Sequence, residues 1–189
     1  MDTSRLFIGL PVSAPAASQL ARLIDRLSTR IPSVRWVPPE NLHLTLKFLG
    51  DTPLERIPAI HQCMESAAAN IGPVAMRIES CGCFPPHGVP RVLWAGVHVE
   101  GDGLLTIYQR LDDGLAELGI RPESRSFHPH ITLGRTTRAV AREQADLRRV
   151  LQSTNFATHC WAEQIVLYSS SRGQKGVEYT SLATVPLAS

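Results

Sequence analysis

The sequence has no apolar run that approaches the roughly 20 residues needed to span a bilayer as a helix. Its first residues lead directly into a strand-like segment, without the apolar stretch of a secretory signal. Because neither a membrane span nor an export signal is visible, we expect a cytoplasmic protein that does not associate with membranes.

Cysteine is scarce, and its spacing carries little information. The four cysteines fit neither the framework of a disulfide-rich domain nor the paired spacing of a structural zinc site. We therefore expect ordinary reduced thiols. The close pair Cys81 and Cys83 is the one spacing that leaves another interpretation open.

An excess of one charge is also missing. The net charge is +2 and the isoelectric point is about 8.5, which is too mild to predict a protein that attracts nucleic acid over its whole surface. Any anionic ligand must therefore be held by a few local groups. Four arginines in the C-terminal half are interpreted as a solvated face rather than an RNA track; they are Arg138, Arg142, Arg148 and Arg149.

Two signatures of nucleotide-binding folds do not occur in the sequence. There is no Gly-x-Gly-x-x-Gly segment and no phosphate loop ending in Gly-Lys-Ser/Thr, so a common α/β nucleotide fold is not indicated. No Ser or Cys lies in a recognised nucleophile elbow either. A hydrolytic reaction in this chain would use water or a substrate hydroxyl as its nucleophile.

What the sequence does contain is the pattern of a mixed fold, with 43% apolar residues. Apolar residues at helical spacing predict helices over residues 16–27, 54–64, 104–118 and 140–151. Period-two patterns predict strands over residues 5–10, 34–37, 42–49, 74–81, 91–99, 128–135, 161–168 and 177–185. Successive strands joined by short turns favour antiparallel pairing, and no linker separates independent domains, so we predict an α+β fold.

Two of the predicted strands carry the same motif, His-x-Thr followed by Leu. The first contains His43 and Thr45, and the second contains His130 and Thr132. Side chains alternate along a strand, so the histidine and threonine of each motif share one face while apolar neighbours pack on the other. The motifs lie about half the chain apart, which predicts two similar lobes around a shared cleft.

Such a pair of histidines is suited to general acid-base catalysis. A free imidazole titrates near pH 6.5, so one ring can accept a proton while the other donates one. Each threonine adds a hydroxyl donor suited to a phosphoryl oxygen.

Positive charge near the motifs is less easily assigned. Lys47 and Arg135 follow the two motifs and could attract a phosphate, although strict alternation turns Arg135 away from the cleft unless Gly134 bends the strand. His128 shares the parity of His130, and its role stays open. A metal site using both histidines with Cys81 or Cys83 remains a weaker alternative, because no carboxylate lies near either motif.

The proline-rich segment at residues 84–90 also has two interpretations. It is stiff and carries an aromatic ring, so it fits either a lip over a ligand or a plain connection between two strands.

The residues around the two motifs resemble the two-histidine (2H) phosphoesterases. Leu42-His43-Leu44-Thr45-Leu46-Lys47-Phe48-Leu49-Gly50 and Phe127-His128-Pro129-His130-Ile131-Thr132-Leu133-Gly134-Arg135 are similar to the motifs of its RNA 2′,3′-cyclic phosphodiesterase branch, once called 2′-5′ RNA ligases. The resemblance implies a single bilobal domain over residues 1–189. In that fold, two antiparallel sheets backed by helices surround a central cleft, and a pseudo-twofold relates the motif strands.

The resemblance also implies a reaction and residue roles. RNA 2′,3′-cyclic phosphate ends would be hydrolysed to 2′-phosphates without metal or cofactor, with 2′-5′ ligation as a minor reverse reaction. By motif position, His130 is the expected proton acceptor and His43 the proton donor. Thr45 and Thr132 would bind phosphoryl oxygens, and Arg135 the phosphate.

The role of Phe48 and the identity of the substrate each have more than one interpretation. Phe48 matches an aromatic position that would stack on the terminal base, whereas its strand parity with Leu44 and Leu46 predicts a core residue. The expected partner is an RNA bearing a cyclic phosphate end, for which tRNA halves are one candidate, and we expect a monomer. Small cyclic nucleotides, 2′-5′ oligoadenylates and non-catalytic binding of RNA ends are the alternatives.

Overall fold

The computed structural model describes residues 2–136, 144–173 and 176–188. Its helices are α1 (Ala14–Ser28), α2 (Ile57–Ala68), α3 (Gly103–Glu117) and α4 (Gln144–Gln152). Its strands are β1 (Thr3–Pro11), β2 (Val34–Trp36), β3 (His43–Pro53), β4 (Val74–Phe84), β5 (Val92–Val99), β6 (His130–Thr136), β7 (Ala157–Ala162), β8 (Gln164–Gly173) and β9 (Gly176–Pro186). No helix in the described ranges is long and apolar enough to cross a membrane.

The strands form one antiparallel sheet that divides into two lobes. Their order is β7, β4, β5, β6, β3, β1, β8, β9, with β2 paired to β6. At the centre, β3 and β6 are joined through a single pair of partners, Leu44 and Ile131. We call β2 and β4 to β7 the first lobe, and β1, β3, β8 and β9 the second lobe. The predicted α+β class is confirmed.

The helices cover one face of the sheet, which we call the core face. In the first lobe α1 packs on β2 and β7, and α4 packs on β4; in the second, α2 packs on β8 and β9, and α3 on β3. The apolar side of α1 is buried as its periodicity predicted, through Leu20, Leu23, Ile24 and Leu27. Because burying one such side chain stabilises the fold by about 2 kcal/mol, this packing fixes the helices and leaves the opposite face, the cleft face, open.

One predicted strand, at residues 161–168, is two strands in the structure. The chain leaves β7 of the first lobe at Ala162 and enters β8 of the second lobe at Gln164. The prediction of a single strand is wrong because both segments bury apolar side chains, so the change of lobe leaves no gap in the apolar pattern.

Strand β3 continues beyond the point where the sequence suggested its end. Gly50 has a φ of +72°, and β3 still pairs with β1 up to Pro53. The glycine lies next to an irregularity in the register between Leu6 and Phe7, so it marks a bend within the strand and not its end.

Both motif strands contain a β-bulge at the leucine that follows the threonine. In β3, Leu46 is the extra residue opposite Ile8 and Gly9 of β1. In β6, Leu133 is the extra residue opposite Leu93 and Trp94 of β5. One extra residue reverses the alternation of the side chains that follow it, up to the next irregularity in the strand.

The bulges decide where the next two residues of each motif point. Lys47 and Gly134 lie on the core face and are buried, whereas Phe48 and Arg135 turn to the cleft face and are exposed. The expectation that strand parity buries Phe48 is therefore wrong, and so is the suggestion that Lys47 meets a phosphate. Gly134 is required here, because a Cβ atom would lie 2.6 Å from Cγ1 of Val34.

Arg148 holds the proline-rich segment in place. Its guanidinium donates hydrogen bonds to the carbonyl oxygens of Pro86 and Gly88, at 2.6 and 2.7 Å. The prediction of a solvated face is therefore wrong for Arg148. It is correct for Arg149, which is exposed and pairs with Asp146, while Arg138 and Arg142 lie outside the described residues.

Lys47 provides a test of the packing beneath the first motif. Its side chain is 6% exposed, and its ammonium group donates to Asp112 and to the carbonyl oxygen of Arg121, the latter at 2.9 Å. Replacing Lys47 by Met leaves the Asp112 carboxylate without its cation, so we expect urea unfolding to show a loss of about 3 kcal/mol in the free energy of unfolding.

The double variant Lys47→Met/Asp112→Leu should recover most of that loss, because no unpaired charge remains. The exposed pair of Arg77 and Glu79 is the matched control, and Arg77→Met should cost below about 1 kcal/mol. A Lys47→Met protein as stable as the parent would contradict a structural role for the buried pair.

Candidate active site

The four motif side chains lie together where the lobes meet. Leu44 and Ile131, the pair that joins β3 to β6, are the central residues of the two His-x-Thr motifs. Antiparallel pairing places His43 on the side of Thr132, and Thr45 on the side of His130. The structure therefore brings together all four residues that the sequence predicted.

Hydrogen bonds to the backbone fix both imidazole rings. Nδ1 of His43 lies 2.7 Å from the carbonyl oxygen of Asn41, and Nδ1 of His130 lies 2.7 Å from that of His128. A carbonyl oxygen only accepts, so Nδ1 carries a proton in each ring and Nε2 of the neutral ring is left as a base. Nε2 of His43 is 3.0 Å from the hydroxyl oxygen of Thr45.

The pKa values of both histidines are lowered from 6.5. Burial is the main cause for each, because it disfavours the charged ring. The charge of Arg135 lowers both pKa values further, His130 adds to the effect on His43, and His128 adds to the effect on His130. The hydrogen bonds to the backbone carbonyls oppose these shifts. In the protein without a bound ligand, both imidazole rings are therefore mainly neutral at pH 7.

Aromatic rings surround His43. The Phe7 ring lies 4.8 Å away between centroids, and Tyr179 meets His43 edge-on at 5.2 Å. Tyr168 is 6.0 Å away and stacks on Phe7. The close approach of β1 and β3 depends on Gly9, where a Cβ atom would lie 2.8 Å from the carbonyl oxygen of Leu44.

His130 has a different aromatic environment. Phe84 meets the ring edge-on at a centroid distance of 5.1 Å, and Trp94 lies 6.5 Å away. The indole of Trp94 lies over Gly82, where a Cβ atom would come within 2.2 Å of it. Phe84 begins the proline-rich segment, so this segment supports a candidate catalytic ring through its first residue.

Phe48 and Arg135 occupy equivalent positions after the two bulges. Phe48 is 66% exposed on the cleft face, and its ring centroid is 6.2 Å from that of Phe7. Arg135 is exposed and close enough to shift the pKa values of His43, His130 and Tyr179. The cleft thus combines two neutral imidazoles, a cation and an open aromatic surface.

Sequence reasoning missed Asn41 and the tyrosines of the last two strands. The Asn41 carbonyl holds His43, and the Asn41 side-chain amide donates to the carbonyl oxygen of Val177, at 2.8 Å. Asn41 thus ties β9 to the residue that orients the histidine. Strand parity could have placed Tyr168 and Tyr179 on one face of the sheet. The curl of the sheet that brings them over His43 cannot be predicted from the sequence.

The donors of the alternative metal site do not meet. Cys81 and Cys83 are buried on the core face, where burial raises the pKa of the Cys81 thiol to about 11. Cys83 accepts a hydrogen bond from Arg148 at 3.0 Å. In the part of the chain that the structure describes, no three His, Cys, Asp or Glu side chains form a group that could hold a metal ion.

Comparison with known proteins gives consistent matches over nearly the whole chain. The family model for LigT-like phosphoesterases matches residues 10–94 and 97–179. An RNA 2′,3′-cyclic phosphodiesterase of Aquifex aeolicus is 31% identical over 182 residues, which are 95% of this chain and 95% of the relative.

Another RNA 2′,3′-cyclic phosphodiesterase, from Geobacillus stearothermophilus, is 31% identical over 189 residues. The alignment covers 99% of this chain but only 58% of that longer relative. A crystal structure of a Thermus thermophilus protein superposes with a TM-score of 0.79 at 28% identity and covers 97% of both chains.

The electrostatics of the cleft can be tested by NMR titration of the histidine ring protons. We expect His43 and His130 to titrate below pH 6.5, and the variant Arg135→Ala to raise both pKa values because a repelling charge is removed. Arg22→Ala, which removes an exposed charge from α1, should change neither pKa. Unchanged titrations in Arg135→Ala would show that the guanidinium does not act on the two rings.

Proposed function

Because the chain belongs to the LigT-like phosphoesterase family, we propose that it hydrolyses the 2′,3′-cyclic phosphate at RNA ends and leaves a 2′-phosphate. The observation that carries this proposal is the matched pair of imidazoles. Each has Nδ1 bonded to a backbone carbonyl, which leaves Nε2 available for proton transfer at one cleft. The relatives' names supply the substrate class.

In the proposed mechanism His130 accepts a proton from water, and the water oxygen attacks phosphorus. His43, in its protonated form, donates a proton to the departing 3′ oxygen, so the phosphate remains on the 2′ oxygen. The assignment of base and acid follows the family motif. The Nδ1–carbonyl hydrogen bond is present at both rings and favours the charged form of each, so it allows either ring to act as the acid.

Three further groups have proposed roles at the phosphate. The hydroxyls of Thr45 and Thr132 donate to non-bridging oxygens, and Arg135 offsets the negative charge that develops in the transition state. None of these steps uses a metal ion. The exposed ring of Phe48 offers a surface on which the terminal base can stack.

The proposal also concerns the protein as a whole. Each lobe supplies one histidine, so we propose that residues 1–189 act as one bilobal unit. We further propose that this unit is a monomer and that it acts in the cytoplasm. RNA fragments such as tRNA halves are the proposed partners. Ligation of a cyclic phosphate end to a 5′-hydroxyl is the same chemistry with a sugar hydroxyl in place of water, and abundant water keeps it minor.

The first test uses a short RNA ending in a 2′,3′-cyclic phosphate, incubated with the protein in chelator. We expect a 2′-phosphate product. His43→Ala and His130→Ala should each reduce kcat by about 100-fold or more, the range of general acid-base catalysis, while circular dichroism stays unchanged. A 3′-phosphate product, or full activity in either variant, would contradict the mechanism.

A p-nitrophenyl phosphodiester separates the two histidine roles in the same experiment. Nitrophenolate leaves without protonation, so His43→Ala should recover activity on this substrate while His130→Ala should not. Binding of RNA ends without turnover of any substrate would instead favour a non-catalytic module. Turnover restricted to small cyclic nucleotides or oligoadenylates would change the substrate class.

The dependence of rate on pH provides a second test. Catalysis needs one neutral and one charged imidazole, so kcat/KM should follow a bell-shaped curve. Both pKa values of the free protein are lowered from 6.5, so the midpoint of this curve should lie below pH 6.5. Bound phosphate favours charged imidazole, so the curve for kcat should move to higher pH. A profile of kcat/KM that is flat from pH 4 to 8 would exclude paired acid-base catalysis.

A further inference from the structure

Two arginines face each other across the short pairing of β2 with β6. The register places Arg35 directly opposite Arg135. Side chains at opposite positions of an antiparallel pair point to the same side of the sheet, with Cβ atoms about 5 Å apart. The bulge at Leu133 turns Arg135 to the cleft face, so Arg35 lies on that face as well, and both are exposed.

This arrangement is unfavourable unless an anion is present. Like charges directly opposite each other destabilise a sheet. Among the residues that the structure describes, none of the ion pairs includes either arginine. A bound anion would remove the repulsion and gain charge-assisted hydrogen bonds from both guanidinium groups.

The two guanidinium groups are not equivalent with respect to the histidines. The charge of Arg135 lowers the pKa of His43 and of His130. Arg135 lies on β6, the strand that carries His130, whereas Arg35 lies on the neighbouring strand β2. This placement assigns Arg135 to the reacting phosphate and puts Arg35 one strand farther from His130. An RNA end presents a second phosphate at such a position, since one ribose separates the 2′,3′-cyclic phosphate from the phosphate on the 5′ oxygen.

We propose that Arg35 binds the phosphate on the 5′ side of the terminal nucleoside while Arg135 binds the cyclic phosphate. This inference rests on the proposed function and deepens it, because it names what distinguishes an RNA end from a cyclic mononucleotide. The planar guanidinium fork suits phosphate oxygens. The protein therefore selects a chain end, or a 5′-phosphorylated nucleotide, over a nucleoside cyclic phosphate that lacks the second anion.

The test compares three substrates that differ only on the 5′ side. They are adenosine 2′,3′-cyclic phosphate, its 5′-phosphorylated form, and the dinucleotide ApA with a 2′,3′-cyclic phosphate end. Each is assayed with the wild type, with Arg35→Ala and Arg35→Lys, and with Arg22→Ala as a charge-matched control on α1.

We expect Arg35→Ala to raise KM about tenfold or more for the two substrates that carry the second phosphate, the range for a hydrogen bond to a charged group. Its kcat/KM for adenosine 2′,3′-cyclic phosphate should change less than twofold. Arg35→Lys should recover part of the loss, since a charge without the fork still attracts phosphate. The salt dependence of log KM for ApA should lose about 0.7 in slope, the value for one phosphate contact on a single strand.

Other outcomes overturn the inference in distinguishable ways. Equal loss on all three substrates would place Arg35 at the cyclic phosphate, and no loss on any would leave it without a role in binding. A similar loss in Arg22→Ala would show that the change in KM comes from the net charge of the protein and not from a contact made by Arg35. A wild-type protein inactive on all three substrates would overturn the proposed function, and the inference with it.

Discussion

The site depends on the single junction between β3 and β6. The two halves of the sheet meet through one pair of residues and can diverge on either side of it, and this divergence opens the cleft between the lobes. The joined residues, Leu44 and Ile131, are fully or almost fully buried, so helix packing holds the junction from below. Because each lies between a histidine and a threonine, the same contact that unites the lobes sets the relative position of the four polar side chains.

The bulges add a second constraint, and they act identically in both lobes. Without Leu46 and Leu133 as extra residues, strand alternation would bury Phe48 and turn Arg135 away from the histidines. With them, a lysine and a glycine pack inward and an aromatic ring and a guanidinium turn outward. The lobes therefore share backbone geometry but present different groups to the cleft: an exposed aromatic ring from one and positive charge from the other.

Features that depend on local sequence pattern could be predicted, whereas features that depend on the curvature of the sheet could not. The apolar faces of the helices, the strand character of both motifs and the meeting of His43 with His130 could be predicted from periodicity and from the repeated motif. The bulges could not, because an extra residue in a strand has no signature in an apolar pattern, and the errors at Lys47 and Phe48 follow directly. Three other features could not be predicted either, because they depend on how distant parts of the chain meet. They are the division between β7 and β8, the hydrogen bonds from Arg148 to the proline-rich segment, and the hydrogen bond from Asn41 to Val177.

The path of the chain through the lobes has a consequence for synthesis on the ribosome. Strand β1 is made early but lies between β3 and β8, so its second partner follows after most of the chain has been translated. Until β8 and β9 emerge, Phe7 has neither Tyr168 nor Tyr179 against its ring, and one edge of β1 stays unpaired. The second lobe can therefore close only late in translation, and the nascent chain is more exposed to misassembly at this edge than at any strand whose partners are neighbours in sequence.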